Sequence, residues 1–152
     1  MPLHTILLVA ARTATDPHVL AALRARAAEV SIAVTLLVPA IPARRGWTWD
    51  EGTARGEARR RMHEAVAHLR TNGIPVIAMV GDFSPLEAIR DEIRQRDYDE
   101  IMISTLPSSI SRWLQADLLT RVAREFSGRV THVRAQAEPL QLTAETGRLP
   151  AA

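Results

Sequence analysis

The fold class follows from residues 74–103, IPVIAMVGDFSPLEAIRDEIRQRDYDEIMI, in which two apolar runs enclose a segment with helical spacing. The runs, Ile74–Val80 and Ile101–Ile103, are continuously apolar, as expected for strands of a parallel sheet that is covered on both faces. Between them, Ser84 and Glu87 have the spacing of a capping box, which predicts the start of a helix. The apolar positions of that helix are Leu86, Ile89 and Ile93. This stretch therefore predicts a strand–helix–strand unit.

The same alternation continues towards both ends of the chain. Further apolar runs lie at Ile6–Ala11, Ile32–Val38 and Val130–Val133, and helical segments separate them. Asp16 before Pro17 predicts the start of the first helix, because an aspartate N-cap followed by proline is typical of helix N-termini. The apolar face of this helix is predicted to carry Leu20, Leu23, Ala27 and Val30.

Five apolar runs that alternate with helices predict one α/β domain over residues 1–135, a doubly wound five-stranded parallel sheet with helices on both faces. Spacing alone allows two strand orders, 2-1-3-4-5 and 3-2-1-4-5, and slightly favours the first, because Ile74–Val80 is apolar enough for an interior strand. The fifth run mixes polar and apolar residues, which suits a sheet edge. Residues 136–152 contain two prolines, a glycine and no sustained period, so we expect a flexible C-terminal tail.

The composition excludes several chemistries before any site is considered. The chain has 152 residues and a formal net charge of +2, and all 19 basic residues are arginines. The absence of lysine excludes a lysine-containing phosphate loop and Schiff-base chemistry, and the absence of cysteine excludes disulfides and thiol nucleophiles. The sequence shows no targeting segment and no apolar stretch of about 20 residues. We therefore expect a cytoplasmic protein with neither membrane nor nucleic-acid partners.

The C-terminal half of the chain resembles one protein family. The segments that carry the resemblance are Val80–Ile89, Tyr98–Ile103, Ser109–Leu114 and Arg121-Val122. They are similar to a universal stress protein domain, which has a Gly-Asp before its third helix, an aspartate before an apolar fourth strand, and a Ser-Gly-Leu-Ser-Arg-like loop before its last helix. The resemblance implies a Rossmann-like fold of the adenine nucleotide alpha hydrolase type, and it selects the strand order 3-2-1-4-5.

The resemblance also implies a nucleotide site, from which this sequence departs. In ATP-binding members, two spaced glycines follow the fourth strand, a Gly-Ser or Gly-Thr pair opens the last helix, and an aspartate closes the first strand. The corresponding residues here are Ser104, Leu106 or Pro107, Ala116-Asp117, and Ala10 or Ala11. If the last helix begins after Ala116, Asp117 is its N-cap, and its carboxylate accepts the N–H bonds that a phosphate would need. We therefore expect no ATP in the family's usual pose and no other cofactor.

The loops at the carboxyl ends of the predicted strands contain the candidate ligand-binding residues. Open α/β sheets bind ligands at this edge, and these loops combine hydroxyls, arginines and an aromatic ring, which suit a small anion or a planar group. The candidates are Arg12, Arg44, Arg45, Trp47, Ser104, Thr105, Ser108, Ser109 and Arg112. The alternative interpretation is structural, because hydroxyls commonly satisfy loop backbone, and tryptophans commonly pack on helix ends or on a partner subunit.

No pattern in the sequence demands catalysis or a metal ion. His63 and His68 are five residues apart, which separates them by about 140° around a helix and argues against metal binding. Arg59–Arg61 lie among acidic residues and are interpreted as a solvated helix face with i,i+4 pairs such as Glu57–Arg61. A hydrolase or transferase on the same scaffold is the weakest of the alternatives.

The leading hypothesis is a non-catalytic, homodimeric regulatory or interaction domain that is similar to universal stress proteins. The resemblance implies dimerisation, in the family often through the last strand, and Val130, His132 and Arg134 are the predicted edge for antiparallel pairing. The hypothesis includes an unidentified protein partner. The alternative hypothesis is a sensor of a small anionic ligand or a nucleotide in an altered pocket.

Overall fold

The computed structural model describes residues 2–41, 51–106 and 116–135. Within these ranges, the chain folds into five strands and four helices that alternate along the sequence. In chain order the elements are β1 Leu3–Val9, α1 Pro17–Glu29, β2 Ser31–Pro39, α2 Glu51–Thr71, β3 Val76–Gly81, α3 Pro85–Gln95, β4 Glu100–Thr105, α4 Ala116–Glu125 and β5 Arg129–Arg134. The predicted C-terminal tail, 136–152, lies outside the described residues.

All strands run parallel, in the order β3-β2-β1-β4-β5. The predicted α/β class and the order 3-2-1-4-5 are confirmed, whereas the order 2-1-3-4-5, which the spacing favoured, is wrong. β3 lies at an edge in spite of its apolar sequence, and the side chain of Ile77 is 57% exposed there. Apolar composition alone does not distinguish an interior strand from an edge strand, because the surroundings of a strand decide which residues it tolerates.

The two faces of the sheet carry two separate parts of the hydrophobic core. On one face, Ile6 and Leu8 of β1 pack beneath α1 and α2, and on the other face Leu7 and Val9 pack beneath α3 and α4. All four side chains are at most 3% exposed. Because both faces of β1 are covered, its sequence is a continuous apolar run rather than an alternating one.

The predicted helix starts at Asp16 and Ser84 are confirmed. Asp16 is the N-cap of α1 and accepts a hydrogen bond from the backbone N–H of His18 at 2.8 Å. Ser84 is the N-cap of α3 and accepts from the N–H of Glu87 at 3.4 Å. In the described part of the chain, no helix combines the length and the hydrophobicity that crossing a bilayer requires.

The inner face of α1 differs from the prediction. Its buried residues are Val19 and Leu23, whereas Ala27 is exposed. Arg26 occupies the next inward position of the helix, three residues after Leu23, and its side chain is only 11% exposed. A guanidinium group at such a position needs a buried partner, because an unpaired charge is costly to remove from water.

The partner of Arg26 is Glu100, the first residue of β4, which is fully buried. Arg26 donates from Nε to Oε1 at 2.8 Å and from Nη2 to Oε2 at 2.9 Å. His4 Nε2 of β1 lies 2.9 Å from Oε1, and the hydroxyl of Thr131 in β5 donates to Oε2 at 2.5 Å. Burial alone would raise the pKa of Glu100, but these hydrogen bonds outweigh it and lower the pKa to about 2. One ionised carboxylate therefore joins α1, β1, β4 and β5.

We expect Glu100→Gln to lower the free energy of unfolding at neutral pH by about 3 kcal/mol, because Arg26 would lose its buried counter-charge. The pH dependence should change as well. The folded pKa lies below the unfolded value of 4.5, so the wild-type protein keeps this stabilisation above pH 4.5 and loses it as the pH falls towards 2. The variant should lack this loss. Urea denaturation at neutral pH and near pH 3 measures both effects.

The matched control is Glu29→Gln, because Glu29 is the exposed partner of Arg26, at 3.8 Å. We expect this substitution to change the free energy of unfolding by less than about 0.5 kcal/mol, as is usual for an exposed ion pair. Equal losses in the two variants would contradict a special role for the buried carboxylate.

Candidate functional site

The carboxyl ends of β1 and β4 meet where the strand order reverses. β1 pairs with β2 on one side and with β4 on the other. The chain leaves β1 towards α1 on one face of the sheet and leaves β4 towards α4 on the opposite face. In open α/β sheets the crevice at such a point is the usual place for a ligand. Because Val9 pairs with Ile103, the chain that follows β1 passes beside Ser104.

Two buried hydroxyls at this crevice have no hydrogen-bond partner among the described residues. They belong to Thr13, in the loop after β1, and to Ser104, in β4, and each residue is 5% exposed. The backbone holds Thr13 in place, since its carbonyl accepts from the N–H of Asp16 at 3.0 Å. Leaving a buried hydroxyl without a partner costs about 1–3 kcal/mol, so such groups usually face an ordered water, an ion or a ligand.

Positive charge beside this crevice comes from Arg12 and Arg61. Arg12 is exposed in the loop after β1, whereas the side chain of Arg61, on α2, is 20% exposed. Burial and the neighbouring charge of Arg12 lower the pKa of Arg61, and the carboxylate of Glu57, 3.6 Å from Nη2, opposes that effect. The predicted Glu57–Arg61 pair is confirmed, but the interpretation as a solvated face is wrong for Arg61.

The sequence contains a signal that could have placed Arg61 correctly. Arg61 follows Ala58 by three residues and precedes Ala65 by four, and both alanines are at most 1% exposed. Residues with this spacing share one face of a helix, so Arg61 lies on the same side as the buried alanines. The run of three consecutive arginines hides this signal, because such a run is typical of a solvated helix face.

The predicted ligand residues lie only partly within the described chain. Ser104 and Thr105 are the last residues of β4, and Arg12 lies in the loop after β1. The structure therefore brings these three residues to the carboxyl ends of the strands. The remaining candidates, which lie outside the described residues, are Arg44, Arg45, Trp47, Ser108, Ser109 and Arg112. Within the described ranges, no cluster of three or more histidine or acidic side chains could hold a metal ion.

Asp117 lies inside α4 rather than at its N-cap. The helix begins at Ala116, so Asp117 belongs to the first turn, where the helix dipole favours a negative charge. Its side chain is 79% exposed, and Oδ2 lies 3.4 Å from Nε of Arg121. The carboxylate therefore pairs along the helix surface instead of capping it. It still places a negative charge at the helix end that would otherwise attract a phosphate.

Thr105 of β4 and His132 of β5 form a hydroxyl–imidazole pair that no spacing in the sequence indicated. Thr105 Oγ1 lies 2.6 Å from His132 Nε2. Burial and the nearby charge of Arg134 lower the pKa of His132, so the ring is neutral at pH 7. A hydroxyl beside a base is the minimum for nucleophilic catalysis, but Thr105 is 2% exposed, and no carboxylate among the described residues orients the ring. The pair holds the ends of β4 and β5 together.

Comparisons with known structures agree with this fold. No family model matches the sequence, and no curated protein matches it significantly. A universal stress protein from Archaeoglobus fulgidus, solved in complex with dAMP, is 18% identical with a TM-score of 0.57, over 87% of this chain and 98% of that one. A protein of the universal stress protein family from Burkholderia pseudomallei is 18% identical with a TM-score of 0.55, over 84% and 93%. A universal stress protein in complex with cAMP is 15% identical with a TM-score of 0.53, over 88% and 98%. The likeness shows a shared fold, which confirms the structural part of the resemblance.

We expect Thr13→Val to leave the free energy of unfolding unchanged or to raise it by about 1 kcal/mol, because valine keeps the shape and removes an unsatisfied hydroxyl. Thr105→Val should instead lower it by about 1–2 kcal/mol, because Nε2 of His132 would lose its partner. Urea denaturation of both variants in phosphate-free buffer compares the two buried threonines directly. A clear loss of stability in the Thr13 variant would contradict the unsatisfied state of its hydroxyl.

Proposed function

We propose that this chain is a non-catalytic regulatory domain of universal-stress-protein-like fold that senses a small anionic ligand where β1 and β4 end. The observation that carries the proposal is the pair of buried hydroxyls, Thr13 Oγ1 and Ser104 Oγ, which have no partner among the described residues. An anion that accepts a hydrogen bond from both would remove the cost of burying them.

The sign of the ligand's charge follows from the arginines beside these hydroxyls. Arg61 pairs with the carboxylate of Glu57 at 3.6 Å and is repelled by the guanidinium group of Arg12. Arg60 and Glu64 also act on Arg61, but they carry opposite charges and pair with each other at 3.6 Å. The repulsion between Arg12 and Arg61 contributes to the lowered pKa of Arg61. A bound anion would offset that repulsion and favour the charged form of Arg61. Two guanidinium groups that repel each other in the free protein therefore favour a ligand of negative charge.

The family's usual ATP pose is not part of this proposal. Its two loop glycines correspond to Ser104 and to Leu106 or Pro107, and Asp117 adds a carboxylate to the first turn of α4. A like charge at about 4 Å costs about 1–4 kcal/mol between the dielectric of water and that of a protein surface. A phosphate or a nucleoside monophosphate carries less charge than ATP. Proteins of the same fold have been solved with dAMP and with cAMP, which makes this class of ligand the one we propose.

We expect inorganic phosphate, AMP or cyclic AMP at millimolar concentration to raise the midpoint of thermal unfolding, by an amount that grows as RT ln(1 + [L]/Kd). Arg61→Gln should reduce the increase, because it removes one of the two positive charges at the crevice. Differential scanning fluorimetry at constant ionic strength measures the effect.

Arg60→Gln is the control for this experiment, since Arg60 is 65% exposed on the same helix and pairs with Glu64 at 3.6 Å. It removes the same charge from the protein but not from the crevice, so the increase should persist. The proposal would be wrong if none of the three ligands raised the midpoint at about 10 mM, a concentration that detects even millimolar affinity.

We also propose self-association through β5, which a separate observation favours. The N–H groups of Arg129 and Ala135 donate to the carbonyls of Asp99 and Thr105, so the odd-numbered residues of β5 direct their backbone groups towards β4. Backbone direction alternates along a strand, and the even-numbered residues therefore direct theirs to the open edge. These residues are Val130, His132 and Arg134, the predicted dimer edge.

A two-fold axis perpendicular to the sheet limits how two β5 strands can pair. Across such an axis, residues that face the open edge lie opposite residues that do the same. The antiparallel register with the most hydrogen bonds sets His132 opposite its own copy and Val130 opposite Arg134. No arginine then faces another arginine, although β5 has an arginine at each end. Charge repulsion therefore does not oppose this register.

We expect a dimer at tens of micromolar, and we expect Arg134→Pro to weaken it at least about tenfold, because proline removes an N–H that points to the open edge. Arg134→Ala keeps that N–H and should keep the dimer. Multi-angle light scattering at several concentrations measures both variants. A wild-type protein that stays monomeric at about 100 µM would rule out association of this strength.

A further inference from the structure

We infer that Asn72 is a site of spontaneous covalent modification by deamidation, and that the fold controls how often it reacts. Asn72 is the only asparagine in the sequence, and Gly73 follows it. Asparagine is chemically labile because the backbone nitrogen of the next residue can attack its side-chain amide. Glycine obstructs this attack least, since it has no side chain beside the nitrogen. The pair therefore combines the labile residue with its most permissive neighbour.

The fold requires glycine at position 73, at the end of α2. The N–H of Gly73 donates to the carbonyl of Arg70 at 3.0 Å. The N–H of Ile74 donates to the carbonyl of Leu69 at 3.0 Å. These two bonds form a Schellman motif with Asn72 as the C-cap, and the residue after the C-cap takes the left-handed conformation. Gly73 has a φ of +80°, and a Cβ there would meet no atom within 4 Å, so backbone conformation rather than space requires glycine.

The reaction at this pair needs no reagent except water. The backbone N–H of Gly73 loses its proton, its nitrogen forms a bond to Cγ of Asn72, and the Cγ–Nδ2 bond breaks. Nδ2 leaves with that proton as ammonia, and a five-membered cyclic imide remains. Water then opens one of the two C–N bonds of the imide ring. The product is aspartate or isoaspartate, and in isoaspartate the main chain passes through the side-chain carbons.

The side chain of Asn72 is held away from Gly73. Its Oδ1 accepts from Nη2 of Arg24 at 3.0 Å, and its Nδ2 donates to the carbonyl of His68 at 2.8 Å. Arg24 lies on α1, and His68 lies one turn back in α2. Only one orientation of the amide satisfies both a donor and an acceptor. Cγ is therefore directed back along α2, and attack by the following nitrogen requires both bonds to break.

The attacking nitrogen is restrained as well. The N–H of Gly73 must leave the carbonyl of Arg70 before its nitrogen can lose a proton and turn towards Cγ. Arg70 is itself anchored, because its Nη2 donates to the carbonyl of Val76 in β3 at 3.0 Å. Two hydrogen bonds of the Asn72 side chain and one of Gly73 must therefore open together. We expect this when the C-terminal end of α2 opens, since native proteins open locally at a lower free energy than that of global unfolding.

Isoaspartate at position 72 would change the connection between α2 and β3. It adds one carbon to the main chain at the C-cap, so the two bonds of the Schellman motif cannot both form again. Pro75 and Val76 follow directly, and β3 pairs with β2 on one side only. The modification therefore loosens an edge strand. Because the released ammonia does not return, each chain keeps the record of an opening.

Incubation of the full chain at neutral pH, followed by peptide mass spectrometry, measures the rate of deamidation. We expect the folded chain to react at least about tenfold more slowly than the same chain in guanidinium chloride, where none of the three bonds forms. Arg24→Ala should raise the rate of the folded chain about fivefold, because one of the three bonds is lost. It should not change the rate of the denatured chain.

Arg60→Ala is the matched control, since Arg60 is an exposed arginine of α2 that pairs with Glu64 at 3.6 Å. Its rate should equal that of the wild-type chain. Equal rates for the folded and the denatured wild-type chain would overturn the inference, and so would an Arg24→Ala rate that matches the rate of Arg60→Ala. If circular dichroism shows that Arg24→Ala does not fold, the ratio of the two wild-type rates decides the matter.

The stability of the product tests the effect on β3. Asn72→Asp keeps the length of the main chain and an oxygen for Arg24, so its midpoint of urea unfolding should stay close to that of the wild-type chain. The aged chain, in which isoaspartate has formed, should unfold at a lower urea concentration. Equal midpoints for the aged chain and Asn72→Asp would contradict the loosening of β3.

Discussion

A single buried carboxylate holds one face of the sheet together. Glu100 receives hydrogen bonds from α1 through Arg26 and from β5 through Thr131, and it lies beside His4 of β1. A buried ion pair adds little net stability compared with apolar residues of the same size, but a misplaced element would leave a buried charge without its partner. The cluster therefore acts mainly on specificity, because only one placement of α1 over β1, β4 and β5 satisfies every member.

The candidate site lies at the other end of the same strands. In the parallel pairing of β1 with β4, Glu100 lies opposite Ile6. Three residues further along both strands, Ile103 lies opposite Val9. Ser104 is thereby set beside the chain that leads to Thr13. Satisfied charges lie at the amino ends of these strands and unsatisfied hydroxyls at their carboxyl ends. Because the charges at the amino end are paired, the strands keep their alignment while the carboxyl end contains polar groups without hydrogen-bond partners, which is the arrangement that the proposed ligand site requires.

Local features of this fold could be predicted from the sequence, and features that depend on distant contacts could not. The cap at Asp16 and the helix after Ser84 rest on neighbouring residues, and both were found. The contact between Arg26 and Glu100 joins residues 74 positions apart, and neither residue alone suggests the other. The strand order needed the resemblance to a family, because an apolar strand such as β3 is compatible with an interior place and with an edge. Asp117 is the second residue of α4, two positions further into the helix than the predicted N-cap, because the sequence before α4 contains no clear start signal.

The two edges of the sheet differ in charge, because β5 has an arginine at each end and β3 has no charged residue. In one antiparallel register of β5 with a copy of itself, no two arginines lie opposite each other, whereas the charges at the edge discourage pairing with an unrelated strand. At β3, Arg70 of α2 covers one end of the open edge, because it donates to the carbonyl of Val76. The edges are four strand spacings apart, about 19 Å, so a dimer formed through β5 would leave both β3 edges open.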